Sequence, residues 1–330
     1  MVAEAQRSDN RLLELLKRFW DKNSVIVVFI VIVVLCGIAA PRFLQPQNLL
    51  NVLRNTSIVG AIALGMTFVI TGGGIDLSSG PVMATSGAVL IILQRMVTPE
   101  GAPLIPLPIA VLACCLVAIG FGFINGIIIT KAALPPFIVT LAVGIIARSL
   151  VVFSFRGATI VGNRIPQFTR IGTGSVFGTV PIPFVVVLAM AVVLGVILKA
   201  TKFGTYVFAI GGNETIARFS GIRVDRIKVL CYMLVGLCTG VAATIESARM
   251  AAVAVVSSGY LYEFEAITAV LIGGTSLAGG RGRIVGTVIG AILLGVINNM
   301  MIMLNISPYL SGAVKGGVIL FAVLLQRQER

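Results

Sequence analysis

The chain has no histidine and few charged residues of any kind. Of its 330 residues, 11% are charged, none is histidine and 58% are hydrophobic. The absence of histidine excludes triads that use it as a base and metal sites that use it as a ligand. The mean hydropathy of +1.06 is far above what a water-soluble globular domain needs. The composition therefore favours a protein embedded in a membrane.

Two sequence signals that mark catalytic or metal-binding proteins are also missing. No Gly-x-x-x-x-Gly-Lys-Ser/Thr motif is present, so the chain does not bind ATP through a P-loop. The five cysteines lie in apolar runs and lack metal-ligand spacing, which predicts neither a disulfide framework nor a metal site. They are Cys36, Cys114, Cys115, Cys231 and Cys238. The energy for any work that the protein performs must come from elsewhere.

Long uncharged stretches dominate what is present. A helix needs ~20 apolar residues to cross a bilayer, and we place ten such spans. Their approximate bounds are 24–40, 55–71, 80–95, 105–130, 136–155, 181–198, 229–248, 262–277, 285–304 and 308–326. The sequence thus predicts an all-α polytopic membrane protein with one transmembrane domain over residues 24–326.

Residues 1–23 precede the first span and carry apolar side chains at helical spacing among charges. This pattern predicts an amphipathic segment on the inner surface of the membrane. A secretory signal peptide is the alternative, but upstream acidic residues and Pro41 argue against cleavage.

Basic residues predict the orientation of the chain. With the N- and C-termini in the cytoplasm, sixteen Lys and Arg lie inside and seven lie outside, as the positive-inside rule favours. Arg148 and Lys315 then fall within spans, where a charge is costly unless it snorkels or pairs. Glu246, Glu263 and Glu265 are possible partners, and both explanations stay open.

The loop at 199–228 is the most strongly charged segment between two spans. Asn213 before an acidic first turn predicts a helix start, and Gly221 predicts its end. An ordinary basic loop is the alternative. The predicted helix and its stop comprise Glu214, Thr215, Ile216, Ala217, Arg218, Phe219, Ser220 and Gly221.

Two glycine-rich segments, 72–80 and 273–282, interrupt the apolar runs. Irregular backbone at membrane depth is tolerated only beside a cavity or within protein, so such breaks indicate a transport pathway. Tight turns at the surface are the alternative. In the first segment Asp76, Ser78 and Ser79 are candidates for lining the pathway.

Two segments in different halves of the chain are similar in sequence. The segment from Asn125 to Pro136 resembles the segment from Asn298 to Pro308, which predicts two inverted five-helix repeats at about 24–160 and 176–326. Asn125, Asn298 and the adjacent Asn299 are therefore further pathway candidates. Alternatively, these amides only hydrogen-bond neighbouring helices.

Three motifs carry a family resemblance: GGGIDLSSG at 72–80, GGNETIARFSGIRVDRIK at 211–228 and the run from Gly273 to Asn299. Together they resemble the permease subunits of bacterial ABC importers for ribose and related sugars, from about Gln47 to about Leu325. The resemblance implies a protein of the bacterial inner membrane that is not an enzyme by itself.

The same resemblance implies the partners. It predicts a second permease protomer, a periplasmic sugar-binding protein and separate ATPase subunits that hold ATP and Mg²⁺, with residues 214–221 as the coupling helix. The broader coupling signature begins Glu-Ala-Ala, whereas this chain reads Glu214-Thr215-Ile216-Ala217. An ion- or proton-coupled secondary transporter is the rival, with Asp76 as its coupling acid; an ABC permease for a nucleoside or amino acid is another.

Overall fold

The computed structural model describes residues 27, 29–98, 103–163, 165–307, 310, 312–317 and 320, and these are mostly helical. The predicted amphipathic segment 1–23 and most of the span at 308–326 lie outside the described residues. The helices are α1 (Phe29–Ala39), α2 (Pro46–Thr71), α3 (Ser79–Arg95), α4 (Leu107–Lys131), α5 (Pro136–Ser154), α6 (Pro166–Thr173), α7 (Ile182–Ala200), α8 (Lys202–Gly212), α9 (Glu214–Phe219), α10 (Val224–Met250), α11 (Tyr262–Ile272) and α12 (Ile284–Met303), with a 3-10 turn at Pro41–Leu44.

Proline starts many of these helices. The first turns of α2, α4, α5, α6 and α7 each contain a proline at one of the first two positions. Proline fits there because its missing N–H is one of the donors that a helix start leaves unbonded. Local sequence thus sets where these helices begin.

The observed helices agree in position with the predicted spans. Helices occupy nine of the ten, and residues 312–317 of the tenth are helical. Among the described residues, six helices are long and apolar enough to cross a membrane: α2, α4, α5, α7, α10 and α12. The prediction of a multi-pass helical membrane protein is confirmed.

The long helices differ in how deeply they lie within the protein. Helix α2 is the most enclosed, with 83% of its most apolar window buried, whereas the corresponding share in α7 is 22%. Helices α2 and α10 pack against each other at the centre, and α4, α5 and α7 form the rim. The rim helices expose apolar side chains, as lipid-facing helices do.

Helices α4 and α10 are held together by interlocking glycines. A Cβ at Gly122 or Gly126 of α4 would collide with the backbone of α10 at Tyr232 or Val229. Glycines of α10, Gly236 among them, meet the α4 backbone in the same way. Small residues at such spacing let two membrane helices approach closely, so α4 and α10 form one tightly packed unit.

Short strands cover one end of the bundle, called here the hairpin end. Strand β1 (Thr159–Val161) follows α5 and pairs antiparallel with β4 (Ala252–Ala254), which follows α10. Strands β2 (Ser175–Val176) and β3 (Val180–Pro181) form a hairpin before α7. The opposite end, called the α9 end, holds α8, α9, the C-terminus of α2 and the N-termini of α10 and α12.

Candidate functional site

Helix α9 begins and ends where the sequence predicts. The Asn213 side chain accepts a hydrogen bond from the backbone N–H of Ile216 at 3.0 Å, which satisfies a free donor of the first turn. Gly221 follows the helix with φ of +81°, and the N–H of Ile222 bonds to the carbonyl of Ala217 at 3.2 Å. This is a Schellman cap, and it fixes both ends of a six-residue helix.

Ion pairs tie α9 to the start of α10. Lys228 Nζ lies 2.6 Å from Glu214 Oε2, and Arg218 lies 2.9 Å from Asp225 Oδ1. Burial alone would raise the pKa of Glu214, but hydrogen bonds and the charges of Lys228 and Arg218 outweigh it, so the pKa lies below its ordinary value. The Arg218 pKa is raised, chiefly by its hydrogen bond to Asp225. The neighbouring cations thus favour the charged form of Glu214, and the ion pairs join α9 to the start of α10.

The outer side of α9 presents apolar side chains to solvent. Ile216 is 62% exposed and Phe219 is 88% exposed, while Ala217 is buried against Ile210 and Val224. A capped and ion-paired helix that leaves a phenylalanine in water has the features of a docking surface.

The glycine-rich segment 72–80 enters the interior of the bundle. The Asp76 side chain is buried, and its Oδ1 accepts hydrogen bonds from the backbone N–H of Ser78 at 2.7 Å and from the Ser78 hydroxyl at 2.6 Å. Ser79 donates to Oδ2 at 3.4 Å. Asn125 of α4 donates from Nδ2 to Ser78 Oγ at 2.8 Å. The structure therefore brings four of the six pathway candidates into one buried network.

Two more side chains hold the same segment. The Leu77 N–H donates to Thr140 Oγ1 of α5 at 3.0 Å. Tyr232 of α10 donates from its hydroxyl to the carbonyl of Ile75 at 3.3 Å. Three helices thus bond to three residues of the segment, Ile75, Leu77 and Ser78, and this part of the segment is an element of the core rather than a turn at the surface.

The start of α3 meets the segment that precedes α11. A Cβ at Gly80 would collide with Glu263 Oε2 and with the carbonyl of Gly259, which itself has φ of +69°. Glu263 Oε2 and Asn125 Oδ1 are both buried and have no hydrogen-bond partner among the described residues. The first turns of α3 and α11 therefore lie side by side in the interior, next to these two acceptors.

Asn298 and Asn299 of α12 have different environments. Asn298 donates to Glu265 Oε2 at 3.3 Å, and Glu265 Oε1 also receives Lys315. Asn299 forms a reciprocal pair of amide hydrogen bonds with Asn48 of α2, at 2.9 and 3.0 Å. Asn298 thus belongs to a charged cluster at the start of α11, whereas Asn299 joins two helices.

The two charges that the sequence predicts within spans, Arg148 and Lys315, also differ in their partners. Lys315 pairs with Glu265, one of the three acids that the sequence offered. Arg148 instead donates to the backbone carbonyls of Val255 and Ser258, each at 2.8 Å. Arg148 thus holds the loop between β4 and α11 at the hairpin end.

The two glycine-rich segments meet at the α9 end. The Gly280 N–H donates to the carbonyl of Thr71 at 2.9 Å, and a Cβ at Gly211 would collide with both groups. The last residues of α8 are therefore wedged between the end of α2 and the loop at 279–282, directly before the cap of α9.

Sequence reasoning missed several side chains of this arrangement. Tyr232, Thr140 and Asn48 lie in or beside apolar runs with no local motif around them. Aromatic and threonine side chains in spans are usually core residues, so only the fold reveals their partners. The sequence offered a signal only for the contact between α9 and α10. Asp225 and Lys228 lie at helical spacing at the start of a span, where charged side chains can pair with a neighbouring helix.

Together, these features define the class of protein to which the chain belongs. The described part of the chain contains six long apolar helices, two short helices that begin inside the bundle and a capped helix at one end, which are the features of a multi-pass membrane permease. Residues 48–323 match the family model described as "Branched-chain amino acid transport system / permease component". The chain belongs to this permease family.

Curated relatives agree over nearly the whole chain. The ribose import permease protein of Bacillus subtilis is 42% identical over 91% of this chain and 90% of its own length. The D-allose and L-arabinose transport system permease proteins of Escherichia coli are 33% and 34% identical, over 94% and 95% of this chain and 92% of each relative. No solved structure gives a significant match.

Proposed function

We propose that this chain is the membrane subunit of an ATP-driven importer that moves a monosaccharide, a ribose-like pentose or a related sugar, into the cytoplasm. The observation that carries the proposal is the high identity, over nine-tenths of both chains, to a ribose import permease protein. Two further relatives are named as permease proteins for other monosaccharides, D-allose and L-arabinose.

The ATPase subunit docks on α9 and holds the ATP and Mg²⁺ of the complex. Support comes from the exposed Ile216 and Phe219 on a helix whose ends are fixed by Asn213 and Gly221. Because Glu214 is ion-paired with Lys228, a displacement of α9 passes directly into α10.

The chain crosses the membrane ten times as two inverted repeats. Residues at matching positions of the two similar segments have matching neighbours. Gly122 packs α4 on α10, and Gly295 packs α12 on α2 at Thr56. Asn125 bonds to Ser78 at the start of α3, and Asn298 bonds to Glu265 in the first turn of α11. In two repeats, α2 corresponds to α10, α3 to α11 and α4 to α12. The contacts of one half therefore match those of the other half when each helix is replaced by its counterpart.

The short helices α3 and α11 complete their crossings with the extended segments that precede them. At ~1.5 Å per residue, neither helix reaches the ~30 Å of a bilayer core. Segment 72–78 and the residues after β4 supply the rest, inside protein rather than in lipid. The network around Asp76, Ser78, Ser79 and Asn125 then borders the solute route, and Asn298 lies on the equivalent side of the second repeat.

The complete importer contains two copies of this chain in the bacterial inner membrane, with the α9 end in the cytoplasm. A periplasmic sugar-binding protein delivers solute to the hairpin end. The loop with α9 carries six of the inside cations that the orientation rests on.

Reconstitution tests the proposal. Proteoliposomes containing this chain, its ATPase and its binding protein should accumulate labelled ribose with ATP inside, and excess allose or arabinose reports the specificity. The family description names branched-chain amino acids, so leucine is the matched comparison. Uptake that survives ATP depletion and stops when the proton gradient is dissipated would establish the secondary transporter instead.

A further inference from the structure

Tyr232 connects two features that the proposed function uses separately. We infer that Tyr232 is a positioning residue that transmits the movement of α9 to the segment around Asp76. This inference rests on the proposed ATP-driven function. It concerns a side chain that lies outside the sequence motifs.

The first link runs from α9 to α10. Glu214 pairs with Lys228, and Tyr232 follows Lys228 by four residues, one turn further along the same helix. A displacement of α9 that carries the start of α10 with it therefore carries the Tyr232 side chain.

The second link runs from Tyr232 to the interrupted segment. Its hydroxyl lies 3.3 Å from the carbonyl of Ile75, the residue before Asp76, and the side chain is only 2% exposed. Gly74 makes this approach possible, because a Cβ at that position would lie 2.6 Å from the hydroxyl oxygen. The glycine and the tyrosine are thus complementary.

The third link comes from the tight packing of α4 against α10. Asn125 of α4 bonds to Ser78, and Tyr232 of α10 bonds at Ile75, so the paired helices hold the segment on both sides of Asp76. Because glycines interlock the two helices, they move together. Asp76 follows that movement instead of staying with α2.

Free space beside the segment permits such a movement. A small solvent-open crevice, with room for about one water molecule, lies between Gly72–Gly74, Lys228 and Tyr232. Rigid packing on every side would block a displacement, whereas here Gly73 is exposed and Gly72 and Gly74 are only partly buried.

The test replaces Tyr232 by phenylalanine in the complete reconstituted importer. Tyr232→Phe keeps the ring and removes the hydrogen bond, so sugar moved per ATP hydrolysed should fall about 2- to 10-fold, the range that one lost hydrogen bond produces. Hydrolysis itself should stay near the wild-type rate. Gly74→Ala, which displaces the hydroxyl, should lower the same ratio. Tyr206→Phe is the matched control, since Tyr206 lies on α8 and is 37% exposed.

A second readout follows the segment directly. Leu77→Cys should react with a polar thiol reagent at rates that differ between nucleotide-free and ATP-bound complexes, and Tyr232→Phe should remove that difference. The native cysteines are all buried, which limits background labelling.

Three results would overturn the inference. A wild-type ratio and wild-type labelling in Tyr232→Phe would show that the hydroxyl transmits nothing. A parallel loss of uptake, hydrolysis and thermal stability would make Tyr232 a packing residue only. If the wild-type complex shows no ATP-driven uptake, the proposed function is overturned, and the inference about Tyr232 is overturned with it.

Discussion

Phe219 gives the sharpest test of the docking surface on α9. It is 88% exposed in the isolated chain, so Phe219→Ala should change the stability of the free permease by less than about 0.5 kcal/mol. If the ATPase subunit covers this side chain, the variant loses the burial of a phenylalanine, about 1.5–3 kcal/mol. That loss corresponds to about 10- to 150-fold weaker binding of the ATPase.

The assay measures binding of purified ATPase subunit to the permease in detergent or nanodiscs, together with the melting temperature of each variant. Phe153→Ala is the matched control. Phe153 is 85% exposed, near the C-terminus of α5 at the hairpin end, far from α9. Its removal should leave ATPase binding unchanged.

Two outcomes would refute the reasoning. Equal binding by wild-type and Phe219→Ala would show that the exposed ring is not covered by the ATPase. Equal weakening by Phe153→Ala and Phe219→Ala would show a general effect of removing surface phenylalanines. Ile216→Ala, at 62% exposure on the same helix, should act in the same direction with a smaller effect.

Three further predictions follow from other parts of the chain. Gly221→Leu forces a side chain into φ of +81°, which should cost about 1–2 kcal/mol, fray α9 and lower sugar uptake per ATP without preventing membrane insertion; normal coupled uptake would contradict it. In intact cells, a cysteine at Thr215 should react with an impermeant thiol reagent only after the membrane is opened, and one at Thr169 should react from outside; the reverse pattern would invert the proposed orientation. Lys315→Met leaves the Glu265 carboxylate without its cation and should lower stability by about 2–3 kcal/mol, since Lys315 is partly exposed; adding Glu265→Gln should recover most of the melting temperature, and no recovery would argue against the pair.

The short helix in the 199–228 loop was predictable because its signals are local. An asparagine cap and a glycine stop act through backbone groups within four residues, so Asn213 and Gly221 specify α9 without the rest of the fold. Its attachment was not predictable. The Glu214–Lys228 pair joins residues on two helices, and only the angle between α9 and α10 brings them together.

The apolar runs predicted where the helices lie. They did not predict which helices are long enough to cross a membrane without an extended segment. Composition alone cannot separate α3, which begins inside the bundle, from a helix that begins at the surface. The break depends on Asp76 finding donors in Ser78 and Ser79 and on helices around it. Those partners satisfy buried polar groups that lipid would leave bare.

The partners of Arg148 and Lys315 show the same limit. Three glutamates were available to Arg148 and Lys315, and sequence order gave no reason to prefer one. Lys315 contacts Glu265, whereas Arg148 binds two carbonyls in a loop whose path no sequence pattern reveals.

The meeting of Gly80 with Gly259 and Glu263 has a consequence for how the chain is made. The start of α3 is covered by residues that leave the ribosome long after α3 itself. Until α10 and α11 are synthesised, α3 and the polar segment before it lack the partners that cover them in the complete structure. The native packing of α3 therefore depends on both halves of the chain, and it can be completed only after α11 has been made.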